Sequence, residues 1–134
     1  MPRSVDLLAD GNPWPKHVPS TRQRIAVARD AQAANNRRRR RIGMRPRPVM
    51  ALADSWTDDD GRLLVRVIPV HSLEAITRRD RDSLRKTAHR AIRARLEEDG
   101  DLTHHEARST TLPLYLHTTE HLNGRILAVT YRTR

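Results

Sequence analysis

The sequence predicts an α+β fold: a small antiparallel or mixed sheet with one covering helix, in the order β-β-β-α-β-β, preceded by a basic N-terminal helical arm. Three observations predict it. Short β-rich runs bounded by turn residues recur after residue 49. One apolar stripe at helical spacing lies among them. Charge, finally, is distributed unevenly. Residues 1–50 hold 12 basic and 3 acidic side chains, whereas residues 51–134 hold 14 and 13. The chain of 134 residues is therefore read as two parts. Residues 1–48 form a Pro-rich lead-in, a basic helix and an Arg-rich arm, and residues 49–134 form a compact α+β domain.

The lead-in carries Gly11, Pro13, Pro15 and Pro19, which favour extended backbone. Trp14, between two prolines, reads equally as an anchor on the domain or as a loose tail residue. A helix is expected over 20–41: Ser20 with Gln23 three residues on fits a capping box, and Gly43 ends the helix. Its apolar face is mostly Ala, which buries little area, so this helix is marginal alone. Arg45-Pro46-Arg47-Pro48 must be extended.

In the domain, Val49-Met50-Ala51-Leu52-Ala53 is a short apolar run, and Asp58-Asp59-Asp60-Gly61 signals a turn. The run from Leu63 to Ile68 is nearly continuous in apolar character, as expected for a strand buried on both faces, and Pro69 ends it. A third strand is expected over 73–77. Asp80 or Asp82 caps a helix running to about Glu98 and closed by Gly100. In it Leu84, Ala88, Ala91, Ile92 and Leu96 make one stripe, with Arg85, Lys86, Arg90, Arg93 and Glu97 off it. Alternation over 111–117 puts Leu112, Leu114 and Leu116 on one face of a strand. Asn123-Gly124 then turns the chain into a last strand, 126–131. Arg125, Arg132 and Arg134 are read as guards of an edge strand.

Composition excludes several classes. With no Cys there is no disulfide framework, thiolate zinc site or Cys nucleophile. No apolar run approaches the ~18 residues of a membrane span, and no signal peptide is legible, so a cytoplasmic protein with no membrane partner is expected. Five Gly make a phosphate-cradling loop unexpected, and no nucleophile motif appears. His104-His105-Glu106 reads as a polar loop and not a metal site, since adjacent His side chains diverge; Asp58-Asp59-Asp60 reads as a turn. No cofactor is expected, and the chain is not read as an enzyme.

The formal net charge is +10, and 24 of 26 cations are Arg. The guanidinium fork pairs bidentately with phosphates and guanine edges. The candidate nucleic-acid-binding residues are Arg22, Arg24, Arg29, Asn35, Asn36, Arg37, Arg38, Arg39, Arg40, Arg41, Arg45 and Arg47. Seven of these arginines fall within eleven positions, 37–47. They suit several phosphates at once, with steep salt dependence. Aromatics are 3% of the chain, too few for stacking on single strands, which favours DNA duplex over RNA.

Trp56, the Asp60-Gly61 turn, Val65-Arg66-Val67-Ile68-Pro69, Thr77, Leu84, Ala88-His89-Arg90-Ala91-Ile92 and Leu96 stand in an order that resembles the HicB-like antitoxin domain, over residues of about 49–118. In place of that family's Pro-Gly before the Thr strand stands His71-Ser72-Leu73, and the basic segment precedes the domain where the family has its DNA-binding unit after it. The resemblance implies a cytoplasmic homo-oligomeric antitoxin that covers a small mRNA-cleaving toxin and represses its own operon. The expected function is thus a DNA-binding regulator of a toxin–antitoxin system. The alternative is a phage or mobile-element structural protein whose arm clamps nucleic acid without sequence specificity. A nuclease derived from an RNase H-like sheet is the third and weakest reading, because no carboxylate cluster supports metal chemistry.

Overall fold

A computed structural model describes residues 3–11, 14–16, 18, 20–45, 51–100 and 113–133. The fold is α+β. The elements in chain order are β1 (Arg3–Asp6), α1 (Thr21–Arg41), β2 (Ala51–Thr57), β3 (Leu63–Pro69), α2 (Arg78–Glu98), β4 (Tyr115–Leu122) and β5 (Arg125–Arg132). One mixed sheet runs β1-β4-β5-β3-β2. β1 is parallel to β4, and the other pairs are antiparallel.

The β3 run is buried throughout from Leu64 to Val70, as its apolar continuity requires. Period 2 divides its side chains between two faces. Val65 and Val67 join Val129 and Tyr131 of β5 on one face, where Leu84, Ala88 and Ile92 of α2 close the main core. The α2 stripe thus does what its spacing predicts. On the other face lie Leu64, Arg66 and, in cross-strand register, Trp56 and Asp54 of β2. Here α1 supplies the cover: Ala28 is 1% exposed, and Arg24 pairs with Asp54.

Several elements differ from expectation. The expected third strand, 73–77, is reduced to a single bridge, Leu73 to Ile126, because Thr77 is already the cap of α2. Asp80 is not that cap but its capping-box partner, three residues into the helix. The fifth strand comes from the lead-in instead. β1 pairs with β4 and seats Val5 fully buried. β4 begins at Tyr115, and a register shift between Leu116 and Thr118 breaks the alternation. Leu114 is consequently buried and Leu116 is exposed. Leu112 and Arg134 lie outside the described residues. β5 is the middle strand, so Arg125 and Arg132 guard no edge. Arg125 binds the Ser72 carbonyl at 2.7 Å and Glu74 at 3.2 Å, and Arg132 lies over the Tyr115 ring. The Asn123-Gly124 turn is as expected, with φ of 51° and 74°.

The division at residue 48 is one of charge, and packing crosses it. Val5 enters the sheet, Val18 packs with Trp56 and Leu64, and Trp14 meets Trp56 edge-on with centroids 5.2 Å apart. Trp14 is thus an anchor on the domain.

Candidate nucleic-acid interface

α1 starts as its sequence dictates. Ser20 Oγ accepts from the Gln23 N–H at 3.2 Å, and Gln23 Oε1 accepts from the Ser20 N–H at 3.0 Å. Its end is equally defined. The Ile42 N–H reaches Arg38 and Arg39, the Met44 N–H donates to the Arg39 carbonyl at 2.8 Å, and Gly43 takes φ 75°. Four arginines stand in the last turn, where the carbonyl end of the helix dipole favours cations.

The side chains of α1 separate into two sets. Arg24, Ala28, Gln32, Asn36 and Arg39 recur at steps of 4, 4, 4 and 3 and are buried or half-buried. Ala28 is the sole buried residue of this helix among those described. Asn35, Arg37, Arg38, Arg40 and Arg41 are exposed, and no ion pair is formed by these arginines among the described residues. Consecutive residues step by about 100° around a helix, so the five arginines form a collar around its end. Arg39 Nε also donates to the Arg45 carbonyl at 2.7 Å, which folds the exposed start of the following segment back onto the collar. Arg47 lies outside the described residues.

The other candidate cations sit elsewhere. Arg24 is engaged by Asp54 and also donates to the Ala53 carbonyl at 3.3 Å. Arg22 and Arg29 line a groove of about 670 Å³ between α1, the segment after β1 and the sheet, with Leu8, Ile25 and Leu127 among its apolar walls.

Arg66 and Glu120 also line this groove. Arg66 Nε donates to Glu120 Oε2 at 2.8 Å and Nη2 to Oε1 at 2.7 Å, with the two side chains 1% and 0% exposed. A bidentate fork is the geometry that makes such burial tolerable. Asp54 is directly across from Arg66, so Arg24, Asp54, Arg66 and Glu120 alternate in sign along this face. Burial raises the Asp54 pKa above the usual carboxylate value, against the opposing pull of Arg24 and Arg66. Sequence reasoning did not anticipate this pair. Its one signal is Arg66 itself, a charge inside an apolar strand run, which must be paired if buried.

The basic character of α2, legible in its sequence, amounts to eight cations and four carboxylates. The rest of residues 51–134 is therefore net acidic. Some of these cations are engaged: Arg85 reaches the Leu114 carbonyl at 3.1 Å and lies over the Tyr131 ring, and Arg95 pairs with Asp99. Arg79, Lys86 and Arg90 are exposed and have no ion pair among the described residues.

His104, His105 and Glu106 lie outside the described residues. Among those described, no group of three or more metal-ligating side chains gathers, and no helix is long and apolar enough to cross a membrane. The Asp58 carboxylate is occupied by its own turn, accepting from the Asp60 and Arg62 N–H groups and from Arg62 Nε. The chain matches no family model, no curated protein and no solved structure.

Proposed function

We propose that this protein is a nucleic-acid-binding regulator that grips duplex DNA with the arginine collar at the end of α1. The observation that carries the reading is the collar itself: five successive arginines on a capped helix end, four of them exposed and without an ion pair among the described residues. Such an end meets phosphates from several directions, and each phosphate neutralised releases counterions. Asn35, exposed one turn earlier, is the side chain best placed to add a base contact. In this reading the α+β domain takes the part that its resemblance to HicB-like antitoxins implies: self-association, cover of a small toxin and repression of the cognate operon.

The test is fluorescence anisotropy with the protein's own upstream duplex at a series of salt concentrations. We expect log K to fall linearly with log salt. Arg38→Glu with Arg40→Glu should weaken binding at least tenfold, and the salt slope should become shallower by about 0.9 for each phosphate no longer neutralised. The melting temperature should be unchanged, because both side chains are exposed. Undiminished affinity in that variant would reject the collar as the contact. Equal affinity for unrelated duplexes would favour the sequence-indifferent clamp over the operator-binding regulator.

A further inference from the structure

We propose that the outer face of α2 is a second phosphate-binding surface, so that one molecule holds two duplex segments at once. The proposal rests on the reading of the α1 collar as a duplex contact.

Around a helix, the exposed Arg79, Lys86 and Arg90 fall within about 20° of one line. That line is opposite Leu84, Ala88 and Ile92, which are buried in the core. These three exposed cations therefore point away from the sheet. They extend over about 16 Å of helix, a length in which duplex DNA carries about ten phosphates. Two shallow depressions sit along the line and share Lys86. Arg78, Arg79, Asp82 and Ser83 complete one, of about 560 Å³, and His89, Arg90 and Arg93 complete the other, of about 360 Å³. Among the described residues, Asp82 is the one carboxylate lining either depression.

The electrostatics agree. The His89 pKa is lowered first by its burial and then by Arg93 and Arg85, and it is the second, coulombic part that marks positive potential at this depression. An anion is the complement. Small-ligand anions are poorly served here, because both depressions are wide open and neither is closed over by apolar walls. A rod of regularly spaced phosphates fits the linear array better.

Position then separates the two surfaces. α2 packs on the face of β3 that bears Val65 and Val67, whereas α1 covers the face bearing Arg66. The sheet lies between the helices. A straight duplex laid along the outer face of α2 is thus shielded from the part of α1 that packs on the sheet, and the collar remains available to a second segment.

The experiment uses the full chain, an immobilised 24-base-pair duplex and a free fluorescent duplex of the same length. Wild-type protein should capture the fluorescent duplex on the surface. Lys86→Glu with Arg90→Glu, both exposed positions that leave the core intact, should bind the first duplex within about twofold of wild type. That variant should reduce capture of the second duplex at least tenfold. Duplex binding should also raise the His89 pKa, read from its ring-proton shifts, in wild type and not in the double variant. Capture undiminished in the double variant would overturn the proposal and assign bridging to self-association. Loss of first-duplex binding in that variant would overturn it too, by showing one continuous surface. Wild type that binds one duplex and captures none refutes the second surface while leaving the collar intact. No duplex binding by wild type at all refutes both readings.

Discussion

The two helices have the same length, 21 residues, and the same capping-box start, yet the molecule uses them differently. α2 buries Leu84, Ala88 and Ile92 against the larger apolar cluster. α1 buries Ala28 and is held otherwise by an ion pair and a half-buried stripe. Helix stability in proteins comes mainly from packing an amphipathic face, and the size of the packed side chains sets its amount. The difference extends to the sheet faces beneath. Under α2 lies an apolar layer; under α1 lies a row of alternating charges with a groove beside it. One helix is a structural lid with a charged back. The other is a bracket that ends in a run of mostly exposed arginines.

The strongest way to break this contrast is at the buried pair. Glu120→Ala should cost about 3–5 kcal/mol in urea unfolding, because it removes the bidentate partner of the buried Arg66 guanidinium. The double replacement Arg66→Met with Glu120→Leu should recover most of that loss. A Glu120→Ala cost under about 1 kcal/mol would mean water reaches this face freely. Next is the packing comparison. Ile92→Ala in α2 should cost about 2–5 kcal/mol through the cavity it leaves. Val27→Ala in α1, at a position 57% exposed, should change stability by less than about 0.5 kcal/mol. Equal effects would erase the distinction between the helices. The caps come third. Thr77→Ala and Ser20→Ala each remove one capping hydrogen bond worth about 1 kcal/mol. Hydrogen exchange should show the Ser20→Ala loss as fraying confined to α1, while the Thr77→Ala loss emerges in global stability.

The smallest expected effect is with pH. Burial, with Arg62 and Arg132 nearby, lowers the His117 pKa, and His89 is lowered likewise. Both rings are harder to protonate folded than unfolded, so the unfolded chain takes up the extra protons below the ordinary value of 6.5. The stability they lend is full above that value and declines as pH falls through it. Denaturant midpoints at about pH 7.5 and about pH 5.8 should show the decline, and His117→Gln should reduce it. An unchanged slope in the variant would assign the effect to other groups.

Much of this architecture is legible because it is local. The Ser20 and Gln23 capping box, the α2 stripe, the β3 run and the Asn123-Gly124 turn each depend on residues within a few positions of one another. The departures are non-local. Residues 73–77 have strand-like composition, but Thr77 is taken as a helix cap and one bridge to Ile126 is all that forms. Residues 3–6 have no strong strand signal, yet β4 offers them an open edge. Alternation assigns Leu116 inward, and a bulge interrupts that alternation.

The collar is visible in the same way, as a run of one residue type, and its place at a capped helix end follows from Ser20 and Gly43. The sequence by itself determined the fold class, the helices, most of the strands and the location of the densest charge, since period, capping and composition are written in adjacent residues. Tertiary structure alone decided which charges meet. It joined Arg66 to Glu120 across 54 positions, turned Arg24 inward to Asp54, and placed Lys86 and Arg90 facing outward from a half of the chain that sums to near neutrality. Charge adds along a sequence without regard to direction, whereas electrostatic energy depends on distance and burial, and those exist only once the chain has folded.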